Sequence, residues 1–306
     1  MDRCSKFLMH VNSDSSKSHA TFKKYKKQLV LKGIDIQIEE PQIIALVGPN
    51  GSGKTTLMNS LMNLLPFHEG SIRILGKKHN DTSLFYEVSY LQDNRILYGD
   101  LTGYDHLRFI CRIQKLPRAR IKEVAAYVGM ESYLKKRVRS YSLGMKQHLL
   151  LAMAIINQPK LILLDEPVNG LDPTSAIHMR SILLDLHEKG TTIIISSHNL
   201  DEIDKLTNNI YFMKDGVLLK ESLEDYSTSR YKLTVSDFEK AKEVLAGQDV
   251  NISFDDATIL FEETEVSLQS VIHSLNINGM EINKIENYKI GAEKRYMELF
   301  ESELAR

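Results

Sequence analysis

The sequence contains Ile43-Ile-Ala-Leu-Val-Gly-Pro-Asn-Gly-Ser-Gly-Lys-Thr55, in which an apolar run leads directly into a glycine-rich loop. The run Ile43–Val47 is typical of a buried strand, and residues 48–55 satisfy the pattern G-x-x-x-x-G-K-[ST]. A helical pattern follows over 56–65, so strand, loop and helix occur in the order that a phosphate-binding loop requires. This stretch predicts an α/β fold that binds the phosphates of a nucleotide.

Each part of this loop has a physical role in holding phosphate. The glycines let successive backbone N–H groups curve around a phosphate without a clash from Cβ, at the positive end of the following helix. Lys54 can reach the β- and γ-phosphate oxygens, and the Thr55 hydroxyl can ligate Mg²⁺. The alternative is a glycine-rich turn that binds nothing, and the complete motif in its strand–loop–helix context disfavours it. The predicted nucleotide-binding residues of the loop are Gly48, Asn50, Gly51, Ser52, Gly53, Lys54, Thr55 and Thr56.

Two adjacent acids, Asp165 and Glu166, follow a second apolar run over 161–164. A continuously apolar run is typical of a central parallel strand buried on both faces, and open α/β sheets bind ligands at the carboxyl ends of such strands. Asp165 is suited to hold hydrated Mg²⁺, and Glu166 is then the candidate general base for an attacking water. Adjacent acids after a strand can also cap the next helix, but the upstream phosphate-binding loop favours the catalytic interpretation.

Composition is that of an ordinary soluble globular protein. The 306 residues are 42% hydrophobic and 26% charged, which is sufficient for a full apolar core. The formal net charge of −1 gives no reason to expect nucleic acid or an anionic membrane as a partner. Cys4 and Cys111 lie far apart without metal-ligand spacing, so neither a disulfide nor a zinc site is predicted. A reducing cytosol is therefore the expected compartment. No apolar run approaches the roughly 20 residues that span a bilayer, and the N-terminus lacks the apolar core of a signal peptide.

The chain is predicted to have three parts. Residues 1–20 form a weakly patterned N-terminal extension with a polar stretch over 12–18. Residues 21–226 alternate apolar strands with helical stretches, as in an α/β nucleotide-binding domain, and include a helical subdomain at about 95–145. Residues 227–306 form a small accessory α+β domain in the β-α-β-β-α-β order of ferredoxin-like folds, followed by an amphipathic helix at about 292–304. The strand candidates of the middle part are 43–47, 88–91, 161–164, 192–196 and 210–213.

The middle part of the chain resembles the nucleotide-binding domain of ATP-binding cassette (ABC) transporters. The decisive segment is Tyr141-Ser-Leu-Gly-Met-Lys-Gln147, a small-residue turn that opens a helix and precedes the strand with the paired acids. Ser142 and Gly144 match the serine and the second glycine of the family's signature loop, usually Leu-Ser-Gly-Gly-Gln. In that family, the signature loop of one subunit closes over the γ-phosphate held by the other. The resemblance therefore implies a dimer around ATP, with both sites of a homodimer competent.

The resemblance also assigns roles to single residues elsewhere. Gln92 matches the Q-loop glutamine, which senses Mg²⁺ and water, and Asp172 matches the D-loop, which crosses the dimer interface. His198 matches the switch histidine that contacts the γ-phosphate. Tyr25 resembles the aromatic residue that stacks on adenine, and core packing is the alternative for it and for the nearby Phe22. The predicted catalytic residues are Glu166, His198 and Gln92, and the predicted Mg²⁺ ligands are Thr55, Gln92 and Asp165.

The signature loop departs from the family's usual sequence at Tyr141, Leu143 and Met145. These changes leave the serine and the second glycine in place, so we expect ATP hydrolysis to be retained. Pro41 stands where the family often has glycine, and proline is acceptable at the start of a strand.

The segment between Gln92 and Ser142 is long enough for a compact helical subdomain and no more. Thr102 can cap a first helix to about 114, and Pro117 can start a second to about 127. In the family, this subdomain and the Q-loop form the groove that receives a helix of the membrane permease. Four apolar residues lie near that groove, and for each a contact with the permease and simple core packing are equally open: Ile96, Leu97, Tyr98 and Leu101.

These features predict the ATP-hydrolysing subunit of an ABC exporter, with ATP and Mg²⁺ bound and a separate integral membrane permease as partner. A second ATPase subunit, most simply an identical one, and a peripheral position on the cytoplasmic face of the cell membrane are also expected. Residues 294–300 resemble the terminal helix of ATPase subunits in bacitracin, lantibiotic and small-peptide export systems. The expected cargo is therefore a small antimicrobial or amphipathic peptide, or a hydrophobic compound.

Two alternatives come from other functional classes. A soluble ABC protein that acts on ribosomes usually carries two cassettes in one chain, and one that acts in DNA repair carries a long coiled coil within its nucleotide-binding domain. This sequence has a single cassette and only a short insertion. A regulatory module in which ATP only controls dimerisation is disfavoured by the intact Glu166 and His198.

Overall fold

The computed structural model describes residues 9–12, 21–25, 28–67, 69–92, 94–223, 230–246, 252–255, 258–262, 267–288 and 291–300. The chain divides into two compact units, of which one comprises residues 1–221 with 300–306 and the other residues 222–299. The strands are β1 (Met9–Asn12), β2 (Thr21–Tyr25), β3 (Gln28–Lys32), β4 (Ile36–Ile38), β5 (Ile43–Val47), β6 (Ser71–Ile74), β7 (Lys77–Lys78), β8 (Val88–Leu91), β9 (Leu161–Asp165), β10 (Thr192–Ser197), β11 (Asn209–Lys214), β12 (Val217–Ser222), β13 (Arg230–Val235), β14 (Ile252–Asp255), β15 (Thr258–Glu262) and β16 (Ile282–Tyr288). The helices are α1 (Lys54–Leu61), α2 (Gly103–Ile113), α3 (Ala119–Tyr127), α4 (Leu143–Ile155), α5 (Pro173–Glu188), α6 (Leu200–Asp204), α7 (Phe238–Ala246), α8 (Leu268–Ile277) and α9 (Ala292–Phe300).

The first unit is built on a sheet whose strands follow the order β12-β11-β5-β10-β9-β8 across the described residues. β10 pairs in parallel with β5 and with β9, and β8 pairs in parallel with β9. In this register Ser196 lies opposite Asp165, and Ser197 lies opposite Val47. The carboxyl ends of the three central strands therefore meet at one edge of the sheet, where β5 leads into the phosphate-binding loop.

The central strands are buried along their length. β5 and β10 are buried throughout, and β9 is buried as far as Leu164. This burial accounts for their continuous apolar composition. The same core includes Leu57 and Met58 of α1 and Leu163 of β9, and full burial of one such side chain contributes about 1.5–3 kcal/mol. The core thereby holds α1, and with it the phosphate-binding loop, against the sheet.

A second, antiparallel sheet of the first unit corrects one prediction. Among the described residues its strand order is β4-β1-β6-β7, and β1 pairs with both β4 and β6. The prediction that residues 1–20 lie outside the nucleotide-binding domain is therefore wrong for residues 9–12. A strand of four residues has too little alternation to stand out in the sequence, and its partners lie far along the chain. Residues 13–18 of the predicted polar stretch are outside the described residues.

The helical subdomain begins with a reciprocal cap. The Thr102 hydroxyl accepts a hydrogen bond from the Asp105 backbone N–H, and the Asp105 carboxylate accepts one from the Thr102 backbone N–H, each at 3.1 Å. This capping box confirms the predicted start of α2. Across the part of the chain that the structure describes, no helix is both long and apolar enough to cross a bilayer.

The second unit has an antiparallel sheet with the order β14-β15-β13-β16 over its described residues. α7 connects β13 to β14 and α8 connects β15 to β16, which is the ferredoxin-like arrangement. Leu233, Ile259 and Val271 belong to a core formed by the strands and helices of this unit. The boundary between 226 and 227 and the accessory role of this unit stay predictions, and the end of the predicted last helix beyond Phe300 is outside the described residues.

We expect Leu163→Ala to lower the free energy of unfolding by about 2–5 kcal/mol, because the side chain is fully buried in β9 and its removal leaves a cavity. Urea unfolding followed by circular dichroism would measure the change. Ile177→Ala is a suitable control, since Ile177 is 57% exposed on α5 and should change the unfolding free energy by less than about 0.5 kcal/mol. Equal effects of the two substitutions would contradict a core centred on β9.

Candidate functional site

The phosphate-binding loop has a backbone that only glycine fits at several positions. Gly51 and Gly53 have φ values of 83° and 112°, in the region that side chains with a Cβ disfavour. At Gly48 the constraint is steric, because a Cβ there would lie 2.5 Å from the carbonyl oxygen of Met213. The curved loop is thus imposed both by backbone conformation and by close packing against β11.

Lys54 lies beneath this loop and is only 7% exposed. Its ammonium group donates hydrogen bonds to the carbonyl oxygens of Gly48 (2.7 Å) and Pro49 (3.2 Å). Burial lowers the pKa of Lys54, while the nearby carboxylates of Glu166 and Asp165 act in the opposite direction. The positive charge is therefore already held at the position where phosphate oxygens would approach.

Asp165 connects the phosphate-binding loop to β10. Its carboxylate accepts a hydrogen bond from the Thr55 hydroxyl at 2.8 Å and another from the Ser196 hydroxyl at 2.5 Å. Thr55 and Asp165, both predicted Mg²⁺ ligands, are therefore neighbours. Hydroxyl and carboxylate oxygens are the donors that Mg²⁺ prefers, and one carboxylate is typical of Mg²⁺ sites that are completed by phosphate and water. This donor set fits the predicted ion.

Glu166 has an unusual backbone that its neighbours hold in place. Its φ is +52°, in the left-handed region that residues other than glycine rarely adopt. The Glu166 backbone N–H donates to the Ser196 carbonyl oxygen (3.2 Å) and to the Ser196 hydroxyl (3.0 Å). The Glu166 carboxylate lies 2.8 Å from His198 Nδ1. Local strain of this kind persists where surrounding contacts over-determine it, and it is common at functional sites.

A cavity of about 630 Å³ collects most of the predicted residues. Those lining it are Asn50, Gly51, Gly53, Lys54, Thr55, Thr56, Gln92, Asp165 and Glu166. His198 reaches this group through Glu166. Gln92 donates to the Asn59 side chain at 3.3 Å rather than to Asp165 or Thr55, so its role as a metal ligand stays a prediction.

Several site residues are missing from the sequence-based set. Ser196 bonds both Asp165 and Glu166, and Asn59, Tyr90, Arg95 and Asn169 line the cavity. The serine at the end of an otherwise apolar strand was a usable signal for Ser196, since a hydroxyl there has to find a partner. The other four are residues to which no motif position assigns a role.

The Ser52 side chain provides a further test of the fit to a nucleotide. Its hydroxyl is buried in the loop and has no hydrogen-bond partner among the described residues. Buried hydroxyls without partners are uncommon in folded proteins. Phosphate oxygens are strong acceptors, so a triphosphate bound in this loop would supply acceptors close to this group.

Ser142, Gly144 and Asp172 form a second cluster that does not line the cavity. Ser142 caps α4 through the Met145 backbone N–H, and the Asp172 carboxylate caps α5 and accepts the Ser175 hydroxyl at 2.7 Å. A Cβ on Gly144 would lie 2.9 Å from the Ser175 hydroxyl oxygen, so the starts of the two helices lie against each other. The hydrogen bonds from Ser175 lower the pKa of Asp172 and keep it ionised.

Tyr25 is the residue predicted to stack on adenine. It is the last residue of β2, and its side chain is outside the described part of the chain, as is that of Phe22. Adenine stacking on Tyr25 therefore stays a prediction.

Comparison with known proteins identifies the family. The family model for ABC transporters matches residues 31–169. The uncharacterized ABC transporter ATP-binding protein YdbJ of Bacillus subtilis is 34% identical over 283 residues, which cover 90% of this chain and 92% of that protein. The bacitracin transport ATP-binding protein BcrA of Enterococcus faecalis is 32% identical over 287 residues, or 90% of this chain and 93% of that protein.

Solved structures agree with the sequence relatives. The structure of an ATP-binding subunit of an ABC transporter superposes with a TM-score of 0.64 at 25% identity, over 72% of this chain and 91% of that chain. The resemblance seen in the sequence is confirmed, and so is the predicted α/β fold class of the nucleotide-binding domain. The chain belongs to the family of ABC transporter ATP-binding proteins, whose members hydrolyse ATP to power transport.

Proposed function

We propose that this chain is the ATPase subunit of an ABC exporter, acting as a homodimer on a separate membrane permease from the cytoplasmic face of the membrane. The observation that carries the proposal is the convergence of Lys54, Thr55, Asp165 and Glu166 around one cavity, with His198 bonded to Glu166. These residues supply, at one cavity, the side chains that phosphate binding, metal binding and general-base catalysis need.

The hydrolysis mechanism follows from the position of each group. Lys54 would bind the β- and γ-phosphate oxygens, and the loop N–H groups would hold the rest of the triphosphate. The Glu166 carboxylate would take the proton of the attacking water, with His198 and the Ser196 contacts holding that carboxylate in position. Thr55 and Asp165, with Gln92, would hold Mg²⁺, which would supply positive charge against the phosphate oxygens.

Dimerisation is supported by the cluster of Ser142, Gly144 and Asp172. Ser142 and Gly144 match the family's signature loop for the γ-phosphate, and Asp172 matches the D-loop of the dimer interface, yet all three lie outside the cavity formed by their own chain. Leu143, between the serine and the glycine, is 39% exposed. In a homodimer, the ATP bound by each subunit would lie against the Ser142, Gly144 and Asp172 cluster of the other subunit.

A docking surface for the permease is supported by apolar side chains beside the nucleotide cavity. Ile96 and Leu101 are each 44% exposed and Tyr98 is 70% exposed, whereas Leu97 is half-buried. Core packing therefore does not account for the first three. A cavity of about 430 Å³ next to them is lined by apolar residues that include Leu64, Phe85, Ile96, Ile110 and Met153. An apolar helix of a membrane protein fits such a surface.

The cargo is the least constrained part of the proposal. The relative BcrA is named for bacitracin transport, and this chain matches almost its entire length. The C-terminal segment 294–300 has the same resemblance. We therefore propose a small antimicrobial or amphipathic peptide, or a hydrophobic compound, as the exported molecule.

Glu166→Gln should reduce ATP turnover by about 10²–10⁴-fold, because the amide cannot take the proton of the attacking water. ATP binding should persist, and an ATP-bound dimer should accumulate, which size-exclusion chromatography with light scattering would detect. Glu188→Gln removes an exposed carboxylate at the end of α5 and should hydrolyse ATP at the wild-type rate. Wild-type turnover by Glu166→Gln would exclude Glu166 as the base.

Lys54→Ala should weaken ATP binding by about 10–100-fold, the equivalent of about 1.5–3 kcal/mol for hydrogen bonds from a charged donor. Titration with a fluorescent ATP analogue would measure the dissociation constant, and circular dichroism would verify the fold. Lys122→Ala, an exposed substitution on α3, should leave that constant unchanged. An unchanged ATP affinity in Lys54→Ala would contradict the phosphate-binding assignment.

Co-purification in mild detergent tests the membrane partner. We expect an integral membrane protein to accompany the chain, and to be lost when Tyr98→Asp and Leu101→Asp are combined, because charge on the docking surface opposes burial against the partner. ATP binding by the isolated variant should be unchanged. Purification of the wild-type chain with ribosomes or DNA-repair proteins instead would favour the soluble alternative.

A further inference from the structure

Four side chains form a continuous connection between the signature loop and the helix that Asp172 caps. His148 on α4 and His178 on α5 have ring centroids 5.3 Å apart, with their planes inclined at 73°. On its other side, His148 Nδ1 lies 3.1 Å from the Tyr133 hydroxyl. The Tyr133 ring in turn meets the Tyr141 ring edge to face, with centroids 5.1 Å apart.

Tyr141 is the end of this connection at the signature loop, since it immediately precedes Ser142 in the chain. It is 5% exposed, and its hydroxyl donates to the Tyr133 carbonyl oxygen at 2.8 Å. A Cβ on Gly103 would lie 2.6 Å from the Tyr141 hydroxyl, so the absence of a side chain at Gly103 makes room for it. The leucine usual at this signature position could make neither this hydrogen bond nor the edge-to-face ring contact, so the connection depends on a position at which this chain departs from the usual signature sequence.

The surroundings of His148 favour its uncharged form. Burial lowers the pKa of His148, proximity to His178 lowers it further, and Asp172 acts in the opposite direction. Tyr133 and His178 are the titratable groups in contact with the ring, and Asp172 at the start of α5 is the charge that acts on it. The imidazole is charged only when both ring nitrogens carry a proton, and His148 Nε2 is buried without a hydrogen-bond acceptor within the part of the chain described.

We propose that Tyr141, Tyr133, His148 and His178 are positioning residues, which hold Ser142 and Asp172 in a fixed relation while His148 is uncharged. This inference rests on the proposed function, since it concerns the residues offered to the ATP of a second subunit. Protonation of His148 disrupts the contact between α4 and α5 and weakens the alignment of the two loops.

The direction of the pH dependence follows from the pKa of His148. Because that pKa is lowered in the fold, the unfolded chain binds the proton more readily than the folded one. The stabilisation of the contact is complete above the ordinary histidine pKa of 6.5, and it is lost as the pH falls toward the lower pKa of the folded state. Turnover by the dimer should decline over the same window, whereas ATP binding to the phosphate-binding loop should not.

The test compares kcat and KM for the full-length wild type and His148→Gln from about pH 5.5 to 8.5. Glutamine cannot become charged but can accept a hydrogen bond from Tyr133. The ratio of wild-type to variant kcat cancels the titrations that the two proteins share. We expect this ratio to be constant above the ordinary histidine pKa of 6.5 and to fall progressively as the pH is lowered below it, with the KM ratio constant.

Two further variants complete the test: one should shift the pH at which kcat is lost, and the other is a control. His178→Gln removes the neighbour that lowers the pKa of His148, so its loss of kcat should begin at a higher pH than in the wild type. His273→Gln changes an exposed histidine on α8 and should reproduce the wild-type profile. A kcat ratio for His148→Gln that is constant within about twofold would overturn the proposal.

Failure of the proposed function is separable from failure of this inference. A wild-type protein that does not hydrolyse ATP at any pH contradicts the proposed function, whereas wild-type hydrolysis with a flat ratio contradicts the positioning role alone. If His148→Gln does not fold, Tyr133→Phe takes its place, because it keeps the ring contact with Tyr141 and removes only the hydroxyl that meets His148. That variant should lower kcat at pH 8 without changing KM, and an unchanged kcat would overturn the proposal.

Discussion

Parallel pairing of β5, β10 and β9 brings three strand ends to one edge of the sheet, and every group of the nucleotide site depends on that register. Ser196 lies opposite Asp165 because β10 and β9 are aligned over their whole length. From that position its hydroxyl and carbonyl bond both Asp165 and Glu166. A shift of one residue would turn these side chains to the other face of the sheet and separate the carboxylates from Lys54.

Local strain at the site is balanced by long-range packing. The left-handed backbone of Glu166 and the glycine conformations of the phosphate-binding loop are unfavourable or entropically costly in isolation. They are held by contacts with β10 and β11, whose own positions come from the apolar core. The stability of the sheet therefore maintains a site geometry that no local preference would select.

The chain carries two sets of residues that match the nucleotide-binding motifs of the family, and the two sets lie at different places in the fold. The cavity set, around Lys54 and Asp165, is brought together within one chain. The set around Ser142 and Asp172 is brought together as well, but at the adjoining starts of α4 and α5, away from that cavity. Such a division is what an enzyme that shares its sites between two subunits requires, and it explains why the contact between α4 and α5 could influence turnover without altering ATP affinity.

The sequence alone determined the phosphate-binding loop, the central strands, the paired acids and the β-α-β-β-α-β order of the C-terminal unit. These features depend on residues adjacent in the chain, where backbone conformation and periodic burial leave a direct pattern. Only the tertiary structure decided that residues 9–12 join the antiparallel sheet, that Ser196 joins β9 to β10, and that His148 meets His178. Each of these contacts links residues that are distant in the chain, through a single side chain or a short strand. Which residues meet is therefore determined by tertiary packing, and the sequence around each residue contains no pattern that predicts its partner.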